Sequence, residues 1–363
     1  MEAGFLQNRK MSPRNIRIKD IARLAGVSIG TVDRVIHNRG EVAGKTKEKI
    51  QRILKETSYS PNVMAQVLKS SKRYNIVSLL PEPNETNSYW QKHPIGMAMA
   101  VKELDHFPVS LSQINFDLQD EEDFQKKTVK VLAVKPDGVL LAPIFKSEST
   151  AFCRQLAKEK IPFIFIDGYI EGTDFLAYVG EDVFRSGKVA GQLTDIITSE
   201  TDDILIVNIA KNISNILHLE NRTHGFLSYF KESGTNKGKK ITVNIPDPEP
   251  ATIKAEMNKI LDRNKGLGSI FVSGSKSYLF AHYLKKNGLD SINLIGYDLL
   301  DNNVEFLKSG VIRFLIGQRP EEQTYKGIKK LFDYISLNKT PDRIEYLPVD
   351  IITSENVDFF IRK

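Results

Sequence analysis

The chain has a single cysteine, Cys153, in 363 residues, which excludes a disulfide framework and a cysteine metal cluster. Long apolar runs are missing as well: Gly138–Pro143 and Phe163–Ile166 are far too short to cross a bilayer. Residues 1–15 hold no apolar stretch of the kind a secretory leader needs, and read as a polar tail in which either Met1 or Met11 serves as the start. These absences point to the cytoplasm. Enzyme signatures are equally scarce. No Gly-x-Gly-x-x-Gly follows a strand, and there is neither a P-loop nor a Gly-x-Ser-x-Gly elbow. His218 and His224 are six apart, off a common helical face, with no carboxylate or cysteine to complete a metal set. The sequence therefore predicts no enzyme, no cofactor and no metal. Repeats and low-complexity tracts are absent too.

What is present is an ordinary globular composition, 41% hydrophobic and 26% charged, in a chain long enough for two or three domains. Its charge is unevenly spread. Residues 1–73 hold 16 Lys/Arg against 6 Asp/Glu, leaving 35 against 39 for the rest, so a strongly basic head precedes a slightly acidic body. One end is thus suited to a polyanion and the other is not. Within the head, Ile18, Ile21, Ala22 and Ala25 follow helical spacing. Gly26 suits a left-handed stop, and Ser28 is placed to cap a second helix. That helix turns Val32, Val35 and Ile36 inward and leaves Ile29, Gly30, Asp33 and Arg34 outside. A third segment from about Gly44 buries Ile50, Ile53 and Leu54 beneath Lys45, Lys47, Lys49, Arg52 and Lys55. Three small helices with a basic exterior and a Gly-containing turn describe a helix-turn-helix DNA reader.

The run Ile18–Ile36, then Lys45-Thr-Lys-Glu-Lys-Ile50, then Tyr59-Ser-Pro-Asn-Val-Met-Ala-Gln-Val-Leu68 resembles the headpiece and hinge of the lactose/purine repressor (LacI/GalR) family over some fifty residues. The resemblance implies that Ile29, Gly30 and Arg34 face base edges in the major groove. A guanidinium forks onto guanine O6 and N7, which makes Arg34 the candidate for a specific contact. Asp33 either accepts from a cytosine amino group or orients Arg34. Ser28 and Thr31, with the basic third helix, are expected at phosphates. In the hinge, Asn62–Ser71, the motif Pro61-Asn62 and Ala65-Gln66-x-Leu68-Lys69 matches the family. The resemblance implies that Asn62 and Ala65 belong to a short helix that folds on the operator, that Leu68 wedges into a minor-groove base step, and that Lys69 sits against phosphates. A plain flexible linker is the alternative.

From Asn75 the chain alternates β-rich runs with amphipathic segments. The strands read are Ile76–Leu80, Val109–Phe116, Gly138–Ala142, Phe163–Asp167, Ile204–Ile209, Ile241–Ile245, Ser269–Ser273, Asn293–Gly296 and Arg313–Ile316. The helical segments include Ile95–Leu104, Phe124–Ala133, Ser186–Thr198 and Glu321–Ser336. This is the βαβ rhythm of parallel sheets, and nine or more strands suggest two of them. Ligands collect at the carboxyl ends of such strands. The body resembles the periplasmic sugar-binding-protein fold that the repressor family shares, with Gly296-Tyr297-Asp298 and Arg222-Thr-His-Gly-Phe226 as its signatures. By that match Asp167, Arg222, Asp298 and Gln318 bind the hydroxyls of a sugar-like effector, while Tyr89 and Trp90 offer stacking faces or mere packing. Two departures retune the pocket: Gly274-Ser275 stands where relatives carry Asn-Asp, and Gly168 where many sugar binders carry Arg.

The expected architecture is α/β: a disordered tail (1–15), a three-helix DNA-binding domain (16–60) and a hinge (61–74). A periplasmic-binding-protein-like domain (75–363) follows, its first lobe at about 75–175 and 318–345, its second at about 176–317 and 346–363. The expected function is a homodimeric repressor on a pseudo-palindromic operator, controlled by a small molecule in the interlobe cleft. The alternative is an activator, or a regulator with a non-sugar effector or a vestigial cleft. The body alone would also suit a transporter's sugar-binding protein, which the basic head and missing leader exclude.

Overall fold

A computed structural model describes residues 16–36, 40–57, 72–83, 85–209, 217–246 and 248–361. The chain divides into two compact units, Met1–Lys69 and Ser70–Lys363.

In the first unit, α1 (Ile18–Ala25), α2 (Ile29–Ile36) and α3 (Gly44–Glu56) bury Ile21, Ala22, Ala25, Val32, Val35 and Ile50, with Ile18, Ile36, Ile53 and Leu54 packed around them. Asp20 reaches back to the Arg17 N–H at 3.0 Å, opening α1. Gly26 closes it at φ 69°, a conformation that would strain a side chain, and the Val27 N–H reaches the Ala22 carbonyl at 3.0 Å. Ser28 caps α2 by accepting the Thr31 N–H at 3.2 Å. The expected three-helix arrangement forms. The hinge residues Asn62, Ala65, Leu68 and Lys69 lie outside the described residues.

The second unit holds two six-stranded sheets. The first contains β1 (Tyr74–Pro81), β2 (Val109–Phe116), β3 (Gly138–Leu141), β4 (Phe163–Ile166), β5 (Ala177–Gly180) and β11 (Ile344–Tyr346), in the order β11-β5-β4-β3-β1-β2. The second contains β6 (Asp203–Ile209), β7 (Lys240–Ile245), β8 (Leu267–Val272), β9 (Asn293–Tyr297), β10 (Ile312–Gly317) and β12 (Asp350–Ile352), in the order β12-β10-β9-β8-β6-β7. All pairings are parallel except β10 with β12. Helices cover both faces, so inner strands such as β3, β4 and β6 are buried on both sides, while the edge strands β2 and β7 are partly exposed. On β8, Ile270 and Val272 enter one core of the second sheet and Phe271 the other.

Three elements exceed the nine expected strands: β5, β11 and β12. β5 pairs with β4, so the first sheet extends past residue 175. The chain passes between the sheets three times, after β5, after β10 and between β11 and β12. Arg319, at φ 55° just beyond β10, grips Asp350 at the start of β12 through two bonds of 2.7 Å each, tying two of these passages together.

Candidate functional site

The cleft residues come from the ends of strands. Asp167 follows β4 at φ 67° and Asp298 follows β9 at φ 70°, so the two sheets present carboxylates at equivalent positions in a left-handed conformation that aspartate adopts only at a cost. The Asp167 N–H donates to Gln323 Oε1 at 2.8 Å, and Gln323 Nε2 donates to the Gln318 carbonyl at 2.8 Å. One amide thereby joins the first-sheet aspartate to the strand end of the second sheet. The Asp167 carboxylate accepts from the Tyr89 hydroxyl at 2.9 Å, and His218 Nδ1 lies 3.8 Å from its other oxygen. Burial, with Arg222 nearby, pushes His218 down to about 3, so its ring is neutral.

Arg222 is 1% exposed. Its Nε and one terminal nitrogen donate to Glu181 Oε1 at 2.9 and 2.5 Å; that nitrogen also reaches Gln318 Oε1 at 2.5 Å, and the other donates to the Ser273 carbonyl at 2.9 Å. The guanidinium lies 3.9 Å over the Tyr297 ring, whose hydroxyl meets Ser186 Oγ at 2.7 Å. Gln318 completes the chain by donating to both Asp298 oxygens at 2.9 and 3.0 Å. Burial raises all three acids, Asp298 to about 7, with Arg222 pulling the other way in each. A hollow opens beside this network, walled by Tyr89, Lys92, Asp298, Leu300, Gln318 and Arg319.

The structure thus brings Tyr89, Asp167, Arg222, Asp298 and Gln318 into one hydrogen-bonded cluster. Trp90 sits behind it. Its ring is buried and stacks on His93 at 4.5 Å, with Tyr89 edge-on at 5.2 Å. Sequence reasoning did not find Glu181, which follows the short β5, and weighed His218 only as a metal ligand.

Arg222 owes its position to an unusually close helix pair. Val183–Ile197, capped by Asp182 accepting the Arg185 N–H at 2.9 Å, packs on Leu217–Ser233 at glycines. A Cβ on Gly187 would lie 2.2 Å from the Arg222 carbonyl oxygen, and one on Gly225 would lie 2.0 Å from that of Phe184.

On the first unit, Ser28, Ile29, Gly30 and Arg34 are exposed, with Thr31 and Asp33 half-buried beside them. The Ser28 and Thr31 hydroxyls meet at 2.9 Å. Lys45, Lys49, Arg52 and Lys55 are exposed along α3. Among the described residues a Cβ on Gly30 would meet only Ser28 Oγ, at 3.8 Å, so none of them demands glycine there. Gly30→Ala is therefore expected to stabilise the chain by about 0.5–1 kcal/mol in thermal melts. Weakened operator binding of the same variant in fluorescence anisotropy would place position 30 against DNA, and unchanged binding would place it outside the interface.

The second unit has the two-lobed architecture of the binding proteins that capture small molecules in a cleft. The profile of the periplasmic binding protein domain matches residues 77–340, and that of the bacterial regulatory proteins of the lacI family matches residues 17–62. The regulator DegA of Bacillus subtilis is 26% identical over 289 residues, 77% of this chain and 81% of that protein. The ribose operon repressor of Lactococcus lactis is 26% identical over 285 residues, covering 77% and 80%. A Bacteroides fragilis chain described as a LacI transcriptional regulator superposes with a TM-score of 0.74 at 29% identity, over 79% of this chain and 99% of that one. The glucose-galactose binding protein GanP of Geobacillus stearothermophilus shares the fold, with a TM-score of 0.71 at 21% identity over 79% and 99%. The chain belongs to the LacI family of bacterial transcriptional regulators, a DNA-binding headpiece joined to a periplasmic-binding-protein domain. These relatives are regulators rather than enzymes. No helix among the described residues is long and apolar enough to cross a membrane.

Proposed function

We propose that the protein is a cytoplasmic repressor that binds a pseudo-palindromic operator as a homodimer and is switched by a sugar-like effector held between Asp167, Arg222, Asp298 and Gln318. The observation that carries this reading is the polar network linking the two lobes: Gln323 bonds Asp167 on one side and Gln318 on the other, and Gln318 bonds Asp298 and Arg222. A polyol inserted there exchanges these bonds for its own hydroxyls and so acts on the angle between lobes. The relatives that control ribose and sucrose operons support a carbohydrate ligand. Coupling to DNA is reciprocal: whatever the effector does to operator affinity, operator does to effector affinity.

In the headpiece, Arg34 reads a base edge, Ile29 and Gly30 lie against neighbouring bases, Asp33 orients or reads, and Ser28 and Thr31 meet phosphates. Asn62, Ala65, Leu68 and Lys69 extend the contact along the minor groove. Arg34→Ala is expected to cost about 1–3 kcal/mol on the preferred site while leaving non-specific affinity in place, measured by competitive anisotropy after selection of the operator from random duplexes. Unchanged base preference would remove Arg34 from the reading set. For the effector, calorimetric titration of pentoses and hexoses into the full chain, repeated with Asp298→Ala, tests the cleft. Sugar binding that survives that substitution would place the ligand elsewhere.

A further inference from the structure

The fully buried charges of the described cleft residues do not balance, although half-buried Lys92 and Arg319 wall the hollow beside them. Among the described residues, three carboxylates are buried in one cluster, Asp167 (4% exposed), Glu181 (1%) and Asp298 (4%), against the single guanidinium of Arg222 (1%). Arg222 is committed to Glu181, and four of its five N–H groups are taken up by Glu181, Gln318 and the Ser273 carbonyl. Even so, Glu181 Oε2 is buried without a hydrogen-bond partner. Among the described residues the side-chain hydrogen bonds to the two aspartates come from neutral groups, the Gln318 amide for Asp298 and the Tyr89 hydroxyl for Asp167, with the His218 ring 3.8 Å from Asp167. They sit at matching positions on opposite lobes, where a ligand would lie. Buried anions of this kind call for a cation or a proton.

Resting on the reading that this cleft takes a sugar-like effector, we infer that the effector is a cationic polyol, an amino or imino sugar whose ammonium is held by Asp167 and Asp298. Hydroxyl donors alone leave the anionic excess in place, whereas an ammonium supplies both hydrogen-bond donors and the missing charge. Without an effector a proton serves instead. Asp298, raised by burial against the pull of Arg222 and with Glu181, Asp167 and the Tyr297 ring around it, holds that proton up to about pH 7. An arriving ammonium displaces it.

The test is calorimetry on the full chain at pH 6.5 with D-glucose and D-galactose, their 2-amino counterparts and the N-acetylated forms, in buffers of different ionisation enthalpy. At least one amine should bind ten-fold or more tighter than its parent sugar, lose that gain on acetylation, and release protons as it binds. A parent sugar that binds as tightly as its amine overturns the cation and leaves the sugar effector standing. Failure of every member of both series to bind overturns both. A ligand-free readout is Gly168→Arg, at a half-buried site beside Asp167 where an added Cβ meets nothing within 4 Å among the described residues. Supplying the charge in this way should raise the thermal midpoint at neutral pH and erase the preference for amines. A midpoint that stays put or falls counts against the inference.

Discussion

Arg222→Met is expected to lower the stability of the effector domain by about 3–5 kcal/mol at neutral pH and to abolish the response to effector. The side chain is 1% exposed and covers the Tyr297 ring, so methionine retains much of the volume but none of the charge. Glu181 would be left buried with neither oxygen paired to a cation, and Gln318 would lose one of the bonds that hold it against Asp298. The loss should depend on pH in a defined direction. Arg222 pulls the pKa of Asp167, Glu181 and Asp298 down against burial, so without it all three bind protons more avidly. The destabilisation is therefore greatest at pH 8 and shrinks as the medium acidifies and the carboxyls take up protons. Urea titrations at pH 5 and pH 8, followed through Trp90, the only tryptophan, report on this unit alone. Equal losses at both values would deny the electrostatic origin.

Gly187→Ala should destabilise the same unit by about 1–3 kcal/mol, despite the 0.5–1 kcal/mol that alanine ordinarily gains over glycine in a helix. The added methyl would sit 2.2 Å from the carbonyl oxygen and 2.9 Å from the Cα of Arg222, so the obstacle is backbone, which cannot swing aside. The Val183–Ile197 and Leu217–Ser233 helices must separate, and the turn that carries Arg222 moves with them. Effector affinity should consequently fall together with the melting temperature. A drop in stability with unchanged ligand binding would show that the guanidinium is located by its partners and not by its helix. Gly30→Ala, with the opposite expected sign on stability, is the internal control.

The headpiece was legible in the sequence because its determinants are local. Apolar spacing defines all three helices, Gly26 adopts the left-handed stop, and Ser28 makes the cap through Thr31. Nine of the twelve strands were legible for the same reason, as apolar runs that include the four-residue β3 and β4. β11 and β12 were not, since runs of three residues carry no usable periodicity and owe their conformation to neighbours already in place; β5, no shorter than β3 and β4, also went unread. Missing β5 had a price at the site, because inspection of strand ends then never reached Glu181. Asp167 and Asp298 could be picked out one at a time, yet their lack of a charged partner could not. That property depends on where Arg222 spends its donors, which is decided by four separate segments converging in space.

The clasp between Arg319 and Asp350 bears on how the molecule moves. Of the three crossings between the lobes, two are riveted side by side and the one after β5 is separate. Sliding of one lobe across the other would shear the rivet, whereas swinging about it would not.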